Sequence, residues 1–256
     1  MKLHERIKVN SNSSLHMFVY GKENIQYEAC VIFSHGFSVA GFESRRMFLE
    51  LADILVEKNF LTILFDYRGS GYSDLNFSEM TIDTEIEDLN SVIEHVKQNI
   101  YPNGKLFIWG MSFGSGVSAL VSEKRNDIDG VILWCLSSDL YNRYKDRLGI
   151  EILKKGYTYT DKGFRVNKEF LDSLKDKDVF NSIKSIRKPI LFVHGNADTT
   201  ANVELSIKAF EIANEPKKLE IINGGVHGFK LQPEQYKQAI IKTMDWLRNS
   251  VRDIDA

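Results

Sequence analysis

Leu106-Phe107-Ile108-Trp109-Gly110-Met111-Ser112-Phe113-Gly114 joins an apolar run of strand length to a small-residue stretch of helical pattern, with a serine between two glycines at the junction. A strand that turns sharply into a helix holds the residue at the corner in strained dihedrals, and glycines two positions either side let the neighbouring backbones pass closely. Ser112 would then project its hydroxyl from the edge of a sheet, the arrangement of a nucleophile elbow. A serine flanked by glycines also occurs in ordinary loops; the strand before it and the helix after it mark this one as an elbow.

A serine hydroxyl is a weak nucleophile at neutral pH and needs a base, which in turn needs a carboxylate to orient it. Both follow in the chain. Pro189-Ile190-Leu191-Phe192-Val193 reads as a buried strand running into His194-Gly195-Asn196-Ala197-Asp198, which puts Asp198 just past the carboxyl end of that strand, the edge where open parallel sheets bind ligands. Lys218-Leu219-Glu220-Ile221-Ile222 reads as the next strand, followed by Asn223-Gly224-Gly225-Val226-His227-Gly228-Phe229. An imidazole in a glycine-flanked loop is hard to explain as core packing and suits general base chemistry. A fourth element, Val31-Ile32-Phe33-Ser34-His35-Gly36-Phe37, is a strand ending in a His-Gly turn, and the backbone N–H groups of Phe37 and Phe113 are the expected oxyanion donors. Losing one such donor typically costs about 3–4 kcal/mol of transition-state stabilisation.

With these four motifs in order, the chain resembles the α/β-hydrolase superfamily over nearly its whole length. The segment Phe65-Asp66-Tyr67-Arg68-Gly69-Ser70-Gly71-Tyr72-Ser73, with Phe77-Ser78-Glu79-Met80-Thr81-Ile82 after it, is similar to the bacterial cinnamoyl/feruloyl esterase group. The resemblance implies a mostly parallel central sheet with helices on both faces and a small inserted cap. It implies a Ser112, Asp198, His227 triad cleaving carboxylic esters through an acyl-enzyme, with cinnamoyl or feruloyl esters as a lead, a small-molecule ester as partner and no cofactor. It casts Asp66 and Arg68 as scaffold beside the site and leaves a homodimer open. Thr199-Thr200-Ala201-Asn202 stands where relatives often have valine-proline, which leaves the local loop geometry open.

At 256 residues, 43% hydrophobic and 27% charged, the chain fits one soluble α/β domain. A net charge of −2 gives no basic field for nucleic acid. The opening residues, Met1-Lys2-Leu3-His4-Glu5-Arg6, lack an apolar signal core and no run is long enough to span a bilayer, so a cytoplasmic location is the default expectation. Cys30 and Cys135 fall in expected central strands and read as small buried hydrophobes. No His, Asp, Glu or Cys cluster has metal-ligand spacing.

Working outward, Arg6-Ile7-Lys8-Val9 and Leu15-His16-Met17-Phe18-Val19 predict an antiparallel edge hairpin. Strands near 29–34, 61–66, 105–109, 129–135, 189–194 and 218–222 alternate with helical patterns near 44–58, 83–99, 113–124, 203–214 and 233–251. Alternation of this kind predicts a sheet covered on both faces. It lapses between about 136 and 186, longer than a connection needs, so 136–186 is read as the cap and 1–135 with 187–256 as the core. Within it an amphipathic stretch runs to Lys155, a small hairpin turns at Asp161-Lys162-Gly163, and a helix spans Lys168 to Leu174. Tyr141, Tyr157, Tyr159 and Phe164 are candidate substrate contacts; the alternative is that they form the cap's own small core.

Several assignments compete. Asp139 also follows a strand and is the rival to Asp198, which is preferred. His35 and His194 sit in strand-end turns before the expected base position and read as structural, as does His95 on an apolar-faced helix. A thioesterase or a prolyl oligopeptidase-like peptidase would keep the triad and change the leaving group, and a non-catalytic ligand receptor would keep the pocket alone.

Overall fold

The computed structural model describes residues 2–255; Met1 and Ala256, the ends of the core span expected above, lie outside the described residues. In chain order the elements are strands β1 (Lys2–Lys8), β2 (Ser14–Tyr20) and β3 (Cys30–Ser34), helix α1 (Met47–Glu57), β4 (Leu61–Phe65), α2 (Ile82–His95), β5 (Leu106–Met111), α3 (Phe113–Glu123) and β6 (Gly130–Trp134). They continue with α4 (Leu140–Lys155), β7 (Tyr157–Tyr159), β8 (Arg165–Asn167), α5 (Lys168–Ser173), α6 (Val179–Ser185), β9 (Ile190–Gly195), α7 (Glu204–Ile212), β10 (Lys217–Ile222) and α8 (Pro233–Asp255).

Eight strands form one sheet in the order β1-β2-β4-β3-β5-β6-β9-β10. β2 runs antiparallel to both β1 and β4, and the pairs from β4 to β10 are parallel. β3, β4, β5, β6 and β9 are buried along their whole length, which is why they read as apolar runs without alternation. Period-two geometry divides their side chains between two cores. Val31, Phe33, Trp109 and Trp134 pack with α1 and α8 on one face; Ile32, Ile108, Val131 and Leu133 pack with α2, α3 and α6 on the other.

The chain leaves β3 toward β4 on one side and returns to β5 on the other, so the loops after β3 and β5 diverge at the carboxyl edge of the sheet. That reversal opens a crevice. Ser34 and Gly110 are paired in register at its base.

The hairpin and all the predicted helices are present, with β1 starting earlier, at Lys2, and α2 continuing as a wide turn over Val96–Ile100. The short α6 lies within the stretch read as the cap, after the last helix expected there; at seven residues it carries too little periodicity to be seen in sequence. Residues 140–173 fold as α4, the β7–β8 hairpin and α5. Leu140, Tyr144, Leu148 and Ile152 form the buried stripe of α4. Phe37 ties the segment down, its ring centroid 4.8 Å from that of Tyr144, 5.1 Å from Phe170 and 5.8 Å from Phe113.

Asp66 accepts the amides of Gly41 and Tyr72 at 2.7 and 2.9 Å and so pins two loops. Arg68 donates its amide and Nε to Asp88 at 2.8 and 2.5 Å and also meets Glu87. Both are scaffold contacts. Burial pushes the Asp88 carboxyl up to about 7, against the pull of Arg68, so the pair is one whose desolvation is only partly offset. His95 likewise ties α2 to β1, its Nε2 2.8 Å from Glu5. Arg68→Ala strands a fully buried carboxyl, and the expected loss is about 3–5 kcal/mol in denaturant unfolding; wild-type stability in that variant would refute the scaffold role.

Candidate active site

Three loops at the carboxyl edge of the sheet build the site. The first is the turn between β5 and α3, where Ser112 has φ 54° and ψ −117°, a conformation costing a non-glycine residue about 1–3 kcal/mol. Its amide extends the ladder by donating to the Trp134 carbonyl at 2.9 Å. The flanking glycines are steric necessities. A β-carbon at Gly110 would stand within 2.6 Å of Ser118, Gly114 and Ser115 atoms, and one at Gly114 would strike the Ser34 and His35 carbonyls.

The second and third loops follow β9 and β10, and their backbones meet directly. Ala197 donates to the Gly225 carbonyl at 3.0 Å, Asn196 to the Ile222 carbonyl at 3.2 Å, and the Asn196 side chain accepts from the Gly224 amide at 2.7 Å. A β-carbon at Gly195 would occupy the place of the Gly225 carbonyl. This contact brings Asp198 beside His227.

The side chains form a continuous hydrogen-bonded line. His227 Nδ1 lies 2.6 Å from Asp198 Oδ2, and His227 Nε2 lies 3.1 Å from Ser112 Oγ. Because an ionised carboxylate only accepts, Nδ1 carries the proton and Nε2 is the lone pair facing the serine hydroxyl. The Asp198 side chain is fully buried while that of His227 is 24% exposed. Burial pushes the Asp198 carboxyl up, but hydrogen bonds from His194 and His227 and from the Ala201 amide outweigh it and hold the group far below the usual carboxylate range. Its Oδ1 is closed by the amides of Thr200 and Ala201 at 2.7 and 2.8 Å, which fixes the loop left open in sequence. Asp139, the rival acid, is exposed and bonded to Asn142 at 3.0 Å.

The other two strand-end histidines are held by protein partners at both ring nitrogens. His35 Nε2 accepts the Tyr67 amide at 3.2 Å, leaving Nδ1–H to donate to the Gly36 carbonyl at 2.9 Å, and burial lowers its basicity. His194 Nε2–H faces the Ala201 carbonyl at 3.0 Å and Asp198 Oδ2 at 3.3 Å, and its Nδ1 shares a hydrogen bond with the Ser206 hydroxyl at 2.6 Å. His194 therefore helps orient the acid, a role its strand-end position alone did not reveal.

Cys135 is the residue whose surroundings the sequence missed. It is buried as expected, but it has φ 50° and follows β6 immediately. Its thiol lies close to Asp198, and its sulfur accepts the Gly228 amide at 3.4 Å. Donor atoms of Cys135, Asp198 and His227 lie within 4.8 Å of one another. Burial and the neighbouring Asp198 charge push this thiol well above its ordinary value.

Next to Ser112 lies a cavity of about 280 Å³ lined by Gly36, Phe37, Met111, Tyr144, His227 and Leu231 among others. A β-carbon at Gly36 would stand 3.6 Å from that of Ser112, so the turn after β3 borders the serine. Among the described residues the Phe37 amide meets no protein carbonyl, and the Phe113 amide is the first of α3, where no intrahelical acceptor exists. Five cationic and two acidic side chains also line the cavity. Of the four aromatic residues expected to contact substrate, none borders it. Phe164 stacks near Phe77 at 4.9 Å, Tyr157 lies under Arg165, Tyr159 is mostly exposed, and Tyr141 faces a separate surface depression. Tyr144 is there instead, and the four-residue stripe of α4 was the signal that pointed to it.

A family model described as serine aminopeptidase, S33, matches residues 25–143. The uncharacterized protein YfhR of Escherichia coli K12 is 29% identical over 177 residues, covering 69% of this chain and 56% of that protein. Human ABHD12B is 29% identical over 211 residues, covering 75% and 54%. The chain thus spans about half the length of the curated relatives it matches. Est1E from Butyrivibrio proteoclasticus, solved with ferulic acid, superposes with a TM-score of 0.83 at 20% identity, covering 94% of this chain and 97% of that one. Among the described residues no helix is long and apolar enough to cross a membrane.

Two outcomes check this geometry. Gly195→Ala forces the β9 and β10 loops apart, and a loss of about 1–3 kcal/mol is expected in denaturant unfolding. Both thiols are buried and raised by that burial, so a thiol-disulfide reagent at pH 8 should label neither in the native protein and both in guanidinium; rapid native labelling of Cys135 would contradict the packing.

Proposed function

We propose that this chain, an α/β-hydrolase-fold protein, is a serine hydrolase that cleaves carboxylic esters by two-step acyl transfer. The observation that carries the reading is the line from Ser112 Oγ through His227 to a buried, strongly acidic Asp198. His227 Nε2 takes the serine proton as Oγ attacks the ester carbonyl, and Asp198 stabilises the imidazolium that results. The Phe37 and Phe113 amides receive the oxyanion. The tetrahedral adduct collapses as His227 returns the proton to the departing alcohol. Water, deprotonated by the same nitrogen, then releases the acid and restores Ser112. Residues 136–186 act as the cap over this edge of the core formed by 1–135 and 187–256, with Tyr144 its contribution to the cavity wall.

A cinnamoyl or feruloyl ester is a member of the substrate panel on the strength of the likeness to Est1E. The aminopeptidase description of the matching family model favours a second reading, peptide cleavage. An aminopeptidase needs a free carboxylate for the substrate ammonium. The two acids lining the cavity are engaged, Glu43 by the amides of Gly36 and Ser44 and Asp161 by Arg147, and the cations around them oppose an ammonium. The ester reading stands ahead for that reason.

Hydrolysis of short and long p-nitrophenyl esters, methyl ferulate, an acyl thioester and an aminoacyl p-nitroanilide, with wild type beside Ser112→Ala and His227→Ala, tests the proposal. Each variant should lose about three orders of magnitude or more in kcat/KM while keeping the wild-type melting temperature. Preference for the anilide would move the assignment to a peptidase, and absence of serine-dependent turnover would point to a ligand receptor.

A further inference from the structure

The cavity beside Ser112 is positively charged in a chain whose formal net charge is −2. Three of its five cations are already matched: Arg147 pairs with Asp161 at 3.1 Å, Lys162 donates to the Ser38 carbonyl at 3.0 Å, and Lys230 meets Glu50. Arg143 and Arg45 are not. Among the described residues neither has a carboxylate partner. Arg143 is half-buried on α4, its guanidinium 6.0 Å from the centroid of the Tyr144 ring, and withdrawing an arginine from water without a counter-charge is unfavourable unless a ligand supplies one.

The loop that carries Arg45 adds an independent observation. Glu43, Arg45 and Arg46 all have positive φ, between 54° and 58°, and the loop is held in that state by the Glu43 carboxylate accepting the Gly36 amide at 2.6 Å and the Ser44 amide at 2.9 Å. Consecutive strained non-glycine residues persist only where the surroundings over-determine them, and they gather at ligand clamps. Here the anchor of the strained loop is the turn that borders Ser112.

We infer that Arg143 and Arg45 form a subsite for a compact anionic group, a carboxylate or a phosphate, carried by the ester a few bonds from its scissile carbonyl. This rests on the ester-hydrolase reading and deepens it to a substrate class. A guanidinium pairs such groups through charge-assisted hydrogen bonds, and low-dielectric walls around like-signed charges concentrate anions at the site. The cavity volume of about 280 Å³ suits a small acid ester and leaves no room to enclose a long acyl chain.

The test compares kcat/KM within matched pairs: mono-4-nitrophenyl succinate against 4-nitrophenyl butyrate for an anion on the acyl side, and 4-acetoxybutanoate and 3-acetoxypropyl phosphate against butyl acetate for the alcohol side. In at least one pair the wild type should prefer the anion, and the preference should shrink as salt is raised. Arg143→Gln and Arg45→Gln should each lower that anionic-to-neutral ratio at least about tenfold, chiefly through KM, with Arg143→Lys restoring part of it and the exposed control Arg248→Gln leaving it unchanged. The carboxylate and phosphate arms of the alcohol series distinguish the two sources of the anion. Serine-dependent turnover with no anionic preference in any pair, or arginine variants that leave the ratio unchanged, overturns this subsite and spares the hydrolase reading. No Ser112-dependent turnover of any ester overturns both.

Discussion

The left-handed backbone at Ser112 is the constraint on which the rest of the site depends. A non-glycine residue reaches that conformation only if its neighbours leave no alternative, and here they do so from three directions. The Ser112 amide is held by the Trp134 carbonyl, Gly110 lies against α3, and Gly114 lies against the end of β3. The central strands must therefore be buried and in register before the serine can stand where it does. Their apolar runs, covered by α1 and α8 on one face and by α2, α3 and α6 on the other, supply that rigidity.

A second constraint acts between the loops after β9 and β10. Glycines at 195 and 225 let two backbones meet, and the hydrogen bonds across that contact set the distance from Asp198 to His227. Around this pair the polar groups are matched. Asp198 accepts from two histidines and two backbone amides, so a fully buried carboxylate stays ionised. His194 and His35 each have both ring nitrogens engaged by protein partners. His227 alone among the three has a lone pair turned toward a hydroxyl at the cavity wall.

The fold was largely legible in the sequence because its signals are local. Buried parallel strands announce themselves as apolar runs, and helices by a period of 3.6. The glycines marked the turns, and the order of the serine, the acid and the base along the chain matched strand ends. What escaped was either too short, as with α6, or dependent on how an element is rotated. Tyr141 and Tyr144 are three residues apart on one helix. Only the one on the stripe with Leu140, Leu148 and Ile152 reaches Phe37 and the cavity.

Sequence by itself determined the sheet, its helical layers and the residues able to form a Ser-His-Asp line, since each of these is written in the spacing of neighbouring residues. Tertiary structure decided which side chains those residues meet. Cys135 and Gly228 are 93 positions apart and Ser112 and His227 are 115 apart, so no local pattern links them; the parallel pairing of the central strands and the contact of the last two loops do. The same is true of the charge in the cavity. Arg45 and Arg143 are unremarkable among 33 lysines and arginines, and only the packing of α4 against the loop after β3 sets them beside one serine, because electrostatic fields depend on distance in space and not along the chain.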